Sequence, residues 1–378
     1  EAVVEFPWGE ETAQFFQMRA CSSGREFHMA FPRQTQQAFL EGHVAAYSHL
    51  GGVFHVMRYD NLSAAVKRVL RGRRREETTR FIALRSHYLF EGEFCLAGEE
   101  GAHEKGGVEG GVGRFRRTHL VPVPKVESYA ALNRLLMDAC TMDDLRVLEG
   151  RQRTVAEDWE KEQEALLPLP TEPFSCVEVS EGRVDKKGRV KVKTNHYSVP
   201  IRLRQMKVEI RVHARRVEVV HGGALVAVHE RLQGLHGESL QLDHYLELLW
   251  RKPGALARSR PLAQARAEGT WPAEYDLLWQ ELRDRYGEAD GTRQLLDVLM
   301  MHREWPSDEV HRAVERALDY GCYDAGAIAV LLRQQTAQEP SAAPLADLGI
   351  LARYERPPTS LGEYDQLLRA LPISKEVH

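Results

Sequence analysis

At 378 residues the chain exceeds one ordinary core and predicts two or three domains of roughly 100–200 residues each. Its 43% apolar and 28% charged composition is that of a globular protein. No run approaches the ~20 consecutive apolar residues of a spanning helix and no signal-peptide pattern opens the chain, which excludes a membrane protein and predicts a cytoplasmic one. Five cysteines (Cys21, Cys95, Cys140, Cys176, Cys322), far apart and without a CxxC pair, exclude a zinc ribbon and a dense disulfide framework. The net charge of −4 conceals a strong asymmetry. Between Arg183 and Arg216 twelve Lys and Arg stand against two acids, Asp185 and Glu209, and a second cluster gathers Lys67, Arg68, Arg71, Arg73, Arg74 and Arg75.

The first residue is Glu and apolar alternation begins at once, so an upstream domain is expected. Ala2 to Trp8, Ala13 to Ala20 and Arg25 to Phe31 read as three strands of an antiparallel meander, the second turn marked by Ser22, Ser23 and Gly24. From Gln34 to Leu50 apolar residues recur at helical spacing (Ala38, Phe39, His43, Ala46, Tyr47, Leu50) and Gly51–Gly52 end the helix. Val53 to Tyr59 is a short strand ending at Asp60, and the β-β-β-α-β order predicts a mixed sheet with helices packed on it. A helix is expected from about Leu62 to Leu70, helical or mixed structure over Thr79 to Phe90, and a helix over about His103 to Thr118, stopped by VPVP. Tyr129 to Leu167 is strongly helical, and PLPTEP at 168–173 reads as a stiff linker. From Cys176 to Arg231 the period changes to two, with turn residues every eight to twelve positions, which predicts a small β-barrel or sandwich. Helices return from about Leu242 to Gln335, and a proline-rich tail is expected to be loosely ordered. The resulting division is 1–125, a connector over 126–170, a basic barrel over 171–236, a helical region over 237–335 and a tail over 336–378.

Two-metal phosphoryl transfer needs about three carboxylates converging on one point, so that two magnesium ions about 4 Å apart can serve nucleophile and leaving group. An RNase H-like sheet draws them from its first strand, from the end of the strand after the first helix, and from a later helix. Those places hold Glu5 in AVVEFPW, Asp60 in VMRYDNL and Glu109 in HEKGGVEGGVGRFRR. Each acid has a plainer reading. Glu5 could be a solvated strand residue, Asp60 before Asn61 an Asx-turn or helix cap, and Glu109 half of an exposed pair with Lys105.

The run RACSSGREFHMAFPRQTQQAFLEGHVAAYSHLGGVFHVMRYDNLSAAVKRVLRGRRREETTRFIALRSHYLFEGEFC, then HEKGGVEGGVGRFRR, VPVP, NHYSVP at 195–200 and DHYLELLWRKPGAL, closely resembles IstA-type transposases of bacterial insertion sequences, over about Glu1 to Arg303. The resemblance implies an RNase H-like integrase core, a barrel like the C-terminal domain of phage Mu transposase with an SH3-like fold, and a helical tail. It maps the acid triad to Glu5, Asp60 and Glu109, with Mg²⁺ as cofactor and Mn²⁺ as substitute. It implies 3′-end cleavage and strand transfer on double-stranded DNA, element ends and target alike, a separate AAA+ ATPase helper, an assembly of at least two copies and a nucleoid-associated location. Lys105 and Arg116 would share the helix face of Glu109, Arg71, Arg73, Arg74 and Arg75 would grip phosphate, and Lys191, Lys193, Arg202, Arg204, Arg215 and Arg216 would lie along DNA. His196 and Tyr197 read as structural.

The family pattern has Asp where this chain has Glu5, a displacement of more than 1 Å that can cost ~100-fold in rate. It also carries an N-terminal helix-turn-helix region that is not seen here. Two alternatives follow: a DNA-binding remnant whose metal chemistry Glu5 has abolished, and a related nuclease acting on RNA–DNA hybrids. No nucleophile elbow, Walker loop or dinucleotide fingerprint supports a serine hydrolase or an ATPase.

Overall fold

The computed structural model describes residues 1–60, 64–69, 75–95 and 102–336, and within them every side chain except those at 68, 69, 75, 102–109, 335 and 336. Three strands, β1 (Ala2–Phe6), β2 (Gly9–Arg19) and β3 (Glu26–Phe31), form an antiparallel sheet in that order. Period-two alternation gives the sheet two apolar faces. Ala2, Val4, Phe6, Ala13 and Ala30 point into a core shared with Phe115, Tyr129, Leu132 and Leu136. Met18 and Phe27 point the other way, into a core shared with Phe39, Leu40 and Tyr47.

Helix α1 (Gln36–Leu50) covers that second face; it starts where the Thr35 side chain accepts from the Ala38 N–H and stops at Gly51, in the left-handed conformation glycine adopts freely. Strand β4 (Val56–Tyr59) follows. It pairs in parallel with β7 (Glu91–Phe94), and α2 (Thr79–Tyr88) lies between them in the chain. Among the described residues the strands expected in one mixed sheet fall into separate sheets, and the outer edge of β1 bridges the chain at Lys125.

The helix expected near Leu62–Leu70 is corrected to a strand: β5 (Val66–Val69) pairs antiparallel with β6 (Arg75–Glu77). Val66 is buried and Lys67 exposed and paired with Glu76, an alternation the helical reading overlooked. Helix α3 (Ala102–His119) matches expectation closely. The long helix expected over 129–167 is two: α4 (Tyr129–Asp143), and α5 (Val155–Glu162), which begins afresh at a capping box of Thr154 and Glu157.

The barrel comprises β8 (Glu178–Arg183), β9 (Arg189–Val192), β10 (Asn195–Ser198), β11 (Lys207–Val212), β12 (Arg216–His221), β13 (Ala224–Glu230) and β14 (Glu238–Ser239), in two sheets ordered β13-β12-β11-β8 and β14-β10-β9. Its core is Val190, Tyr197, Val199, Val208, Ile210, Val217 and Val219. Gly222 and Gly223 close the β12–β13 hairpin with φ of 58° and 81°, the two successive positive values that a tight turn of the strands' own twist requires. The barrel is docked on α1: Gln37 donates to Glu178 (2.7 Å) and accepts from Arg231 (3.1 Å), and Glu41 accepts from the Ala214 N–H (2.8 Å).

Six further helices, α6 (Leu246–Arg251), α7 (Arg260–Ala267), α8 (Ala273–Tyr286), α9 (Glu288–Met300), α10 (Ser307–Tyr320) and α11 (Ala325–Thr336), enclose a separate core that includes Leu256, Leu278, Leu295, Val310, Val314 and Ile328. The motifs NHYSVP and DHYLELLW meet at its joint with the barrel. The Ser198 hydroxyl accepts from the Gln241 N–H (2.9 Å) and shares a hydrogen bond with His244 Nδ1 (2.7 Å). Burial, then the charges of His229 and Arg303, push His244 down to about 3, so it stays neutral. Both groups are buried, which makes this pair a latch and not a nucleophile. Tyr197 is structural as expected, its hydroxyl accepting from the Leu232 N–H at 2.9 Å.

Candidate functional site

Alternation along β1 leaves Glu5 with Val3 on the side away from Val4 and Phe6. Its N–H donates to the Pro124 carbonyl (2.9 Å), its carbonyl accepts from Val126 (3.0 Å), and its carboxylate holds Lys125 Nζ at 2.7 Å. The hydrogen bond and charge of Glu5 raise the Lys125 ammonium above its ordinary value. The helix bearing Glu109 shares a core with the other face of this sheet, Phe115 lying in one cluster with Val4 and Phe6. A Cβ added at Gly111 of α3 would meet Glu26 Oε1 at 2.9 Å and Gln17 Nε2 at 3.5 Å, on that face. Glu5 pairs with Glu10, and from Glu10 to Gln17 the strand advances roughly 24 Å at about 3.4 Å per residue. A pair of bridging metals spans only about 4 Å. Glu5 is thus a half-buried strand residue tied to Lys125.

Asp60 lies exposed at the C-terminal end of β4. The residue before it is anchored deeply. His43 Nδ1 donates to the Phe39 carbonyl (2.7 Å), which leaves Nε2 to accept from the Tyr59 hydroxyl (3.0 Å). Burial lowers His43 to about 4, so the imidazole is neutral, as this arrangement needs. Tyr59 also packs on Phe81 at 5.0 Å between ring centroids, fixing the strand end from which Asp60 projects.

The side chains of Glu109 and Lys105 lie outside the described residues, as do Arg71, Arg73 and Arg74 entirely and the side chain of Arg75. The rest of α3 is held by a network that sequence reasoning missed. Arg114 bridges Glu26 (3.1 Å) on β3 and Asp143 (2.5 Å) on α4, His119 also meets Asp143 (2.9 Å), and Phe115 stacks on His28 at 3.7 Å. Burial alone would raise the Glu26 carboxyl, yet the His28 hydrogen bond and the charges of Arg114 and Arg146 outweigh it and hold Glu26 low and ionised. Asp143 is lowered against burial in the same way, by Arg114 and His119. The available signal was Glu26 and His28 alternating onto an apolar face, and charge at such positions demands partners. Arg116 is exposed on the same helix.

On the barrel the acids sort the cations. Arg189 is taken by Asp185 and Glu238, Arg211 by Glu209, Arg216 by Glu218 and Lys207 by Glu181. Lys191, Lys193, Arg202 and Arg204 are exposed, and among the described residues none has a carboxylate within 4.0 Å. Lys191 alternates with the buried Val190, which sets it on the outside of the barrel. Arg215 is half-buried, also without such a partner. Exposed cations without a carboxylate at ion-pair distance suit a polyanion backbone rather than a compact ligand.

The sequence itself settles the class: the chain belongs to the family of insertion-sequence transposases. It is 31% identical to the transposase for insertion sequences IS1326/IS1353 of Pseudomonas aeruginosa, over 97% of this chain and 73% of that protein. It is 32% identical to a transposase of Aminobacter aminovorans, over 84% of this chain and 63% of that protein, and 26% identical to the transposase of insertion sequence element IS21 of Pseudomonas aeruginosa, over 69% and 68%. The chain therefore spans between 63% and 73% of the length of these relatives. Residues 169–241, which contain the barrel, match the family described as Mu transposase, C-terminal domain. A simian T-cell lymphotropic virus intasome aligns with 61% of the chain at 14% identity and a TM-score of 0.33, a likeness too slight to carry a fold argument. Among the described residues no helix is long and apolar enough to cross a membrane.

Proposed function

We propose that the chain is the strand-transfer part of an insertion-sequence transposase, an RNase H-like polynucleotidyl transferase that nicks the 3′ ends of the element and joins them to target DNA. The observation that carries this reading is the 31% identity to such a transposase over 97% of the chain. The β1-β2-β3-α1-β4 order and an acid at the end of β4 support the RNase H-like part. Because two DNA ends are joined, the active assembly holds at least two copies, and an AAA+ ATPase partner is proposed on the resemblance to IstA-type transposases alone.

The all-carboxylate chemistry of the acids suits Mg²⁺ or Mn²⁺. Glu5 holds Lys125, and it stands on the face of β1 opposite the one that packs on α3. We assign the metal-binding role to Asp60 and Glu109 and remove Glu5 from it. The Glu-for-Asp departure then gives no ground for an inactive remnant. The barrel cations hold the phosphate backbone, and the Glu26–Arg114–Asp143 network fixes the helix that carries Glu109.

Joining of labelled, pre-cleaved element ends to a plasmid in Mg²⁺ tests the reading, and failure of the protein to join any end would end it. In the same assay Glu5→Gln should leave the rate unchanged, whereas loss of a true ligand, where 1 Å of misplacement can cost about 100-fold, would cripple it. For the barrel, Lys191→Ala with Lys193→Ala should weaken binding to specific and random duplexes alike. The slope of log affinity against log salt should fall by about 2, near 0.9 per lost phosphate contact. An unchanged slope would take DNA off this surface.

A further inference from the structure

Glu274 in the first turn of α8 faces His311 and Glu315, one turn apart on α10, with one ligand atom from each lying within 4.8 Å of the others. His311 Nε2 stands 3.8 Å from Glu274 Oε2 and 3.3 Å from Glu315 Oε1. Metal–ligand bonds of about 2.0–2.1 Å in a tetrahedral site set ligand atoms roughly 3.3 Å apart, so side-chain movement of up to about 1.5 Å would complete the set. Neither carboxylate has an Arg or Lys partner within 4.0 Å among the described residues, although arginines of the same helices are paired elsewhere, Arg283 with Glu288 and Arg312 with Asp308. Two carboxylates gathered on an imidazole with no fixed cation repel one another.

We propose that Glu274, His311 and Glu315 form a binding site for a divalent transition-metal ion of the zinc type, its fourth position open to water beside the exposed Glu315. The imidazole selects against magnesium and for the borderline ions. The site is separate from Asp60 and Glu109 and independent of the function proposed above. Bound metal would clamp α8 to α10, fastening two sides of the C-terminal helical core.

Titrating the full chain with Zn²⁺ in excess Mg²⁺ by calorimetry decides it. We expect saturable uptake of a zinc ion that Glu315→Gln and His311→Gln each weaken at least about tenfold, with circular dichroism unchanged. Glu315 is exposed, so its variant remains informative even if His311→Gln fails to fold. Absence of uptake, or uptake that both variants retain, would reduce the cluster to an imidazole packed between two acids and overturn the proposal.

Discussion

Asp60→Asn and Glu109→Gln should each abolish end joining while leaving affinity for duplex DNA nearly intact. A metal ion supplies several kcal/mol of charge stabilisation in the transition state, and each 1.36 kcal/mol is tenfold in rate, so losses of roughly 100- to 1,000-fold or more are expected. Either substitution keeps the side-chain volume and removes only the charge. Asp60 is exposed at a strand end whose anchor is its neighbour Tyr59, hydrogen-bonded to His43. Joining rate and DNA binding measured on the same preparations separate the readings. Retained joining in Asp60→Asn, or a parallel loss of DNA binding, would make Asp60 structural.

Glu26→Gln should be the most destabilising conservative change on the first sheet, at about 3 kcal/mol. Breaking a buried ion pair by removing one partner costs about 3–5 kcal/mol, and the lower end applies because Arg19, Arg114 and Arg146 keep about a quarter of their exposure. The loss is local, so amide hydrogen exchange should show it in β3 and the last two turns of α3, as protection lower by about 100-fold. The pH dependence follows from the depressed Glu26 carboxyl. A group lower in the folded than in the unfolded chain stabilises above its unfolded value, about 4.3 for glutamate, and loses that contribution as pH falls through the folded value. The difference between parent and variant should be full at pH 7 and shrink below about pH 4. A difference that grows on acidification would mean that Glu26 is protonated when folded. Joining should fall along with the protection of α3, since the same network holds the Glu109 helix.

Legibility varied along the chain for physical reasons. Helix α3 was read to within a residue at each end because Val108, Val112 and Phe115 mark one face. The barrel strands were visible because period-two alternation runs through them without a rival period. Val66–Val69 was misread because four residues give too little pattern to separate a strand from a helix, and pairing with β6 decided it. The break after Asp143 was hidden by apolar residues that continue through a turn, and only the capping box at Thr154 signalled a new start. Convergence of Glu5, Asp60 and Glu109 was not legible at all, because position along a strand is a distance, and distances between distant segments are not written in any local pattern.

What the residues determined by themselves was the alternation of elements, the concentration of cations on the barrel and kinship with insertion-sequence transposases, all of which depend on local spacing or residue identity. Which charges remain free was settled only by folding. Arg114, Asp143 and Glu26 come from three elements and neutralise one another, whereas among the described residues no carboxylate lies within 4.0 Å of Lys191 or Lys193. Electrostatic energy depends on separation in space, and the chain sets that only once its faces have chosen what to bury.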